Sequence, residues 1–162
     1  MTATDPISDQ SAFTAIAREL LQTVEGAFAK LRTISDPDAG RPRAPGKWSP
    51  KQIIGHLIDS AANNHQRFVR AQETSALKWP GYQQDHWVRS QRYDACSWGE
   101  LTSLWHGYNR HLAHVIGHIP EAMRSVPCTI GTDAAVTLGF LVHDYVVHLR
   151  HHLAQLNAHG PA

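Results

Sequence analysis

Twelve histidines stand in a chain of 162 residues, and His148, His151 and His152 crowd together in DYVVHLRHHLAQLN, Asp144 to Asn157. Neutral imidazole nitrogens suit divalent transition metals, so this density raises metal chemistry first. It also makes accidental pairs at four-residue spacing common. A metal needs rings that project to one point, and helical phase sorts the candidates at about 100° per residue. His148 and His152 lie about 40° apart on one helical face. They flank a stripe of Leu138, Leu141, Tyr145, Leu149 and Leu156, which places them at the edge of a core. His151 lies further round, nearer solvent.

The same test turns away His114 and His118, another H-x-x-x-H pair, which sit roughly 100° to 140° from the centre of their helix's apolar stripe. His106, His111 and His143 read as surface residues, and His86 lies in a loop where phase says nothing. Two imidazoles do not make a tight catalytic site, which normally takes three protein ligands and keeps a position open. The third must come from another helix. His56, in WSPKQIIGHLIDS, is the best candidate, on the flank that Ile53 and Ser60 share. His65 is about 180° from His56, so the two do not share an ion. The residues alone leave two readings open, a three-histidine site or histidines that are satisfied or exposed singly.

These side chains need helices to position them. Phe13, Ile16, Leu20, Val24, Phe28 and Leu31 recur at helical spacing and predict a first helix from about Ser11 to Ile34. SDPDAGRPRAPGKW, Ser35 to Trp48, is an irregular connection. Ser49 as N-cap with Pro50 behind it opens a second helix through about Thr74. From Ser75 to Cys96 no clean period holds, and the stretch reads as a long crossover loop. Ser97 with Glu100 predicts a capping box for a third helix to about Ile119, and Leu138 to about Ala158 gives the last, stopped by Gly160 and Pro161. Pro127 to Thr137 is a further connection, with Val126 to Ile130 as a short extended piece at most. The expected fold is all-α, a four-helix bundle whose long crossover lets helices two and three run parallel.

Composition bounds the function. Lys and Arg total 15 against 14 Asp and Glu, so no basic field favours nucleic acid. No run of about 18 apolar residues and no signal-peptide pattern occurs, which predicts a soluble cytoplasmic protein with no membrane partner. The length predicts one domain over residues 1–162, with its core from about 12 to 158. Cys96 and Cys128 lack C-x-x-C spacing and read as free thiols.

Three stretches, WSPKQIIGHLIDSAANNHQRFVRAQE (Trp48 to Glu73), WPGYQQDHWV (Trp79 to Val88) and DYVVHLRHHLAQLN, together resemble the DinB/YfiT-like family of metalloenzymes. The resemblance covers about Ala12 to Leu156 and implies a four-helix bundle with a long crossover. It also implies a metal held by His56, His148 and His152. Asp59, Tyr145 and Gln155 are then candidates to support the ligand rings. Zinc or nickel suits three neutral nitrogens, with iron or manganese as further options. The resemblance favours a transferase that activates a low-molecular-weight thiol of the bacillithiol or mycothiol type for attack on an electrophile. Trp79, Tyr82, Asp85 and Trp87 would wall the pocket, or else merely cover a bundle end. The alternatives are a hydrolase using metal-bound hydroxide with Asp59 or Asp85 as base, and a metal-binding stress protein without turnover. No H-E-x-x-H motif is present. Proteins of this family also often pair, so a homodimer is expected.

Overall fold

The computed structural model describes residues 12–157. The expected outer helix bounds, Ser11 and Ala158, and the stop signal at Gly160 and Pro161 lie outside them. Four long helices carry the chain: α1 (Ala12–Leu31), α3 (Pro50–Arg70), α5 (Trp98–Gly117) and α6 (Leu138–Asn157), with a single turn, α2 (Asp36–Ala39), after the first. The N-terminus of α3 is fixed by a capping box. Ser49 Oγ accepts from the Gln52 amide (3.3 Å), and Gln52 Oε1 accepts from the Ser49 amide (2.9 Å). At α5, Ser97 Oγ accepts from the Glu100 amide at 3.4 Å.

Cross-helix contacts fix the directions. Near the start of α3 and α5, Lys51 Nζ donates to Cys96 O (2.7 Å), and further along both, His65 Nδ1 meets Tyr108 Oη (3.1 Å). The two helices therefore run parallel, as the crossover length predicts. Trp98 Nε1 donates to Leu31 O (2.9 Å) while Arg110 pairs with Glu25 (2.9 Å), so α1 is antiparallel to α5. His56 faces His148 while Phe68 faces Tyr145, so α6 is antiparallel to α3. The result is an up, down, down, up bundle. Phe13, Leu20, Leu57, Phe68, Trp105 and Leu149, all 0% exposed, fill its centre.

The crossover departs from the expected loop. It holds β1 (Leu77–Trp79), α4 (Gln84–Gln91) and a 3-10 turn at Tyr93–Ala95. In a later connection β2 (Pro127–Ile130) pairs parallel with β1 and antiparallel with β3 (Val136–Thr137). The short extended piece expected at Val126 to Ile130 is thus the middle strand of a small sheet. Strand β1 exists because of this partner from far along the chain, which no local pattern announces. The crossover is clamped onto α3. Gly55 lets the Tyr93 ring lie directly on the helix, where any Cβ would overlap it. One turn on, Asp59 Oδ1 accepts from Tyr93 Oη (2.6 Å) and Gln91 Nε2 (2.7 Å). Cys96 and Cys128 are unpaired thiols. Among the described residues, no helix is long and apolar enough to cross a membrane.

Candidate metal centre

Antiparallel packing of α3 against α6 brings His56 to His148 and His152, whose ligand nitrogens all lie within 4.8 Å of one another. The rings meet edge to face, with centroids 5.1 Å (His56 and His148), 4.7 Å (His56 and His152) and 4.6 Å (His148 and His152) apart. His56 Nε2 and His148 Nε2 are 3.3 Å apart. Two ligands of a tetrahedral ion with bonds of 2.0–2.1 Å are separated by about 3.3 Å, so the spacing fits a shared divalent metal.

The electrostatics point the same way. His56 is 1% exposed, and burial, then repulsion from His152 and His148, pushes its imidazole down to about 3. Burial, followed by repulsion from His152, lowers His148 to about 4 against the opposing pull of Asp144. Burial also lowers His152. Three neutral rings result, each with a lone pair free for a metal. Gln155 Oε1 accepts from His152 Nδ1 (3.1 Å), which puts the proton on Nδ1 and leaves Nε2 for the ion. The amide of Gln155 donates to His151 Nε2 (3.3 Å), so His151 is tied to the outer layer. The Nδ1 of His56 is buried without a partner among the described residues.

Two pockets flank the triad. A smaller one, of about 220 Å³, is lined by His56 and His148 together with Ser60, Arg67, Tyr82 and Tyr145. The larger, of about 590 Å³, is lined by His152, Gln155, Asp85, Trp48, Arg43 and Lys47. Of the expected wall residues, Tyr82 lines the smaller pocket, Trp87 backs it with ring centroids 5.0 Å apart, and Trp79 lies in β1 under the Arg70 guanidinium at 4.7 Å. Asp85 lines the larger pocket, whereas Asp59 lines neither of these two. Asp59 is 2% exposed, its carboxyl is held by Tyr93 and Gln91, its remaining oxygen has no partner among the described residues, and burial raises its pKa. Tyr145 lines the smaller pocket, but its hydroxyl donates to Asn109 Oδ1 at 2.5 Å.

Sequence reasoning missed Trp48, whose ring centroid lies 5.1 Å from His56 and 6.4 Å from His152. Its position was the available signal. It stands immediately before the N-cap Ser49, with Ile53 at N4, and both line the larger pocket in the arrangement of a hydrophobic staple. His106, expected on the surface, is half-buried and stacks on Phe28 at 4.0 Å, because α1 packs closely on α5 there.

Comparisons with known proteins bear on the fold and the family. A protein of Geobacillus thermodenitrificans named "Putative metal-dependent hydrolase" is 24% identical over 151 residues, covering 91% of this chain and 82% of its own. YfiT from Bacillus subtilis, described as "a probable metal-dependent hydrolase with an unusual four-helix bundle topology", has the same fold. The TM-score is 0.75 at 19% identity, over 98% of this chain and 93% of that one. Residues 13–156 match the DinB superfamily, and the chain belongs to that family.

Proposed function

We propose that the chain is a metal-dependent enzyme that transfers a small thiol to a small electrophile, with one divalent ion held by His56, His148 and His152. The observation that supports this most is the meeting of two pockets at one triad, His56 and His148 lining one and His152 the other. That arrangement suits a reaction of two molecules. The larger pocket, about 590 Å³, falls within the usual range for a small-molecule site, and Arg43 and Lys47 on its wall suit the anionic groups of a low-molecular-weight thiol. When bound, a divalent ion lowers the pKa of a thiol or water at its open position and polarises the electrophile.

The chain's own groups do the rest. Gln155 holds the tautomer of His152, and the Trp48 ring lies beside those of His56 and His152. Asp85, which lines the larger pocket with His152, takes the proton that the nucleophile gives up. Asp59 acts at a distance, keeping Tyr93 and Gln91 on α3 one turn from His56. Three neutral nitrogens suit zinc or nickel first, then iron or manganese.

A second reading is hydrolysis, with water as nucleophile and Asp85 as base. The names of the two relatives favour it. Metal-loaded protein incubated with an activated aryl halide and cysteine, glutathione or cysteinyl-glucosamine decides between them, with an activated aryl ester as the parallel substrate. Thiol-dependent release of halide above the metal-free rate supports the transferase. Ester cleavage without thiol, and no halide release, supports the hydrolase.

A further inference from the structure

The smaller pocket contains a cation that the chemistry proposed for the triad does not use. Beyond His56, the residues of α3 at three- and four-residue steps, Ser60, Asn64 and Arg67, all line it. They are 3%, 8% and 9% exposed. Asn64 Nδ2 donates to Ser60 O (2.9 Å) and approaches Ser60 Oγ (3.4 Å), which turns its Oδ1 to accept from Arg67 Nη1 (3.3 Å). Arg67 makes no ion pair among the described residues, and its Nε is buried without a partner. Among the described residues, the one carboxylate on the pocket wall, Asp144, is exposed, lies one turn from His148 on α6, and does not pair with Arg67.

A guanidinium withdrawn from water without a counter-charge costs stability, and an apolar residue of like volume would fill the space without that cost. Its planar donor fork matches a carboxylate. Arg67 follows His56 by eleven residues, or about 16 Å of helical rise, and helical side chains lean toward the N-terminus. The bond to Asn64 confirms that Arg67 leans back toward the triad.

We propose that Arg67, oriented by Asn64, is the subsite for a carboxylate of the substrate, so that the smaller pocket takes a short carboxylic acid whose far end reaches the triad. This rests on the metal-holding role proposed above. The remaining wall agrees with such a ligand: Tyr82 lines the pocket together with Arg67, and Leu141 supplies an apolar surface for a carbon chain.

Calorimetric titration of zinc-loaded protein with succinate, glutarate and adipate, and with the corresponding diamides, tests the assignment. The acids bind at least about tenfold more tightly than the diamides, with one chain length preferred. Arg67→Met removes that preference while zinc content stays at one equivalent and the thermal midpoint does not fall, and Arg67→Lys restores part of it. Equal binding of acids and diamides by wild-type protein, or unchanged acid binding by Arg67→Met, overturns the proposal, as does tighter binding of inorganic phosphate than of any acid. Butyrate titrated into metal-free protein separates the two levels. If the triad holds no ion, butyrate binding still depends on Arg67. If Arg67 is no subsite, zinc loading stands and the substitution changes nothing.

Discussion

Two groups of histidines lie along this bundle, and they differ in almost everything except residue type. His56, His148 and His152 come from two helices and turn their nitrogens to one point. His65, His111, His114 and His118 form a chain of ring contacts along α3 and α5, with centroids at 5.2 Å, 6.5 Å and 4.2 Å in sequence order. In the second group the nitrogens are spent separately. His118 Nδ1 donates to the His114 carbonyl (2.7 Å), His65 bonds Tyr108, and His111, His114 and His118 are exposed. The residue type is the same at both places. Convergence and burial set them apart: burial lowers the pKa of all three rings of the first group, and the packing of α3 on α6 aims them together.

The sharpest way to break this contrast is to remove one ring from each group. Protein purified without an affinity tag carries about one equivalent of divalent metal, which His148→Ala lowers to about a tenth or less, as expected when one of three ligands goes. Elemental analysis of a His114→Ala, His118→Ala double variant then shows no change. Equal losses in both variants would erase the distinction.

Thermal stability gives the next largest effect. Metal present at about 1,000 times its dissociation constant adds about 4 kcal/mol, or roughly 8 to 16 °C in midpoint for a chain of this size. Calorimetry of wild-type protein with and without chelator shows that shift, and the His148→Ala variant shows little of it.

Acid acts on the metal-free triad in a direction fixed by its pKa values. The unfolded chain binds protons near the ordinary value of 6.5, while folded His148 and His56 stay neutral down to about 4 and about 3. The unfolded state thus binds more protons between these limits, so stability holds above about 6.5, falls as the pH drops through that window, and levels off near 3. Midpoints of metal-free wild type measured across this range decline more steeply than those of His56→Phe. Parallel curves would show that the buried triad contributes nothing. The smallest effect is at Gln155. Gln155→Ala frees the His152 ring and weakens metal binding by about tenfold, measured by competition with a chelator, while leaving the fold intact.

How much of this could be read from the residues depends on distance along the chain. The long helices were legible because their signals are local: the stripe from Phe13 to Leu31, the Ser49 cap with Pro50 behind it, and the Ser97 cap, whereas the capping box itself forms at Ser49 and Gln52. The parallel run of α3 and α5 followed from the length of the crossover alone. The contents of that crossover were not legible, since β1 depends on pairing Leu77 with Cys128 and α4 offers only Trp87 and Val88 as apolar signal. On α6, phase placed His148 and His152 correctly at the core edge. On α3 it was weaker, for a physical reason. Helix α3 buries Asp59, Ser60, Asn64 and Arg67 as well as its apolar face, because α5, α6 and the crossover surround it. A polar arc that looks solvent-facing in sequence is therefore the floor of a pocket. His56 and Arg67 belong to that arc, and only the covering elements reveal it.

X-ray absorption at the edge of the metal bound to tag-free protein tests the central claim most directly. Three imidazole nitrogens at about 2.0–2.1 Å are expected, with the edge signal falling to about a tenth or less in His56→Ala. A shell with two or fewer imidazoles, a sulfur ligand, or a spectrum unchanged by His56→Ala would contradict it.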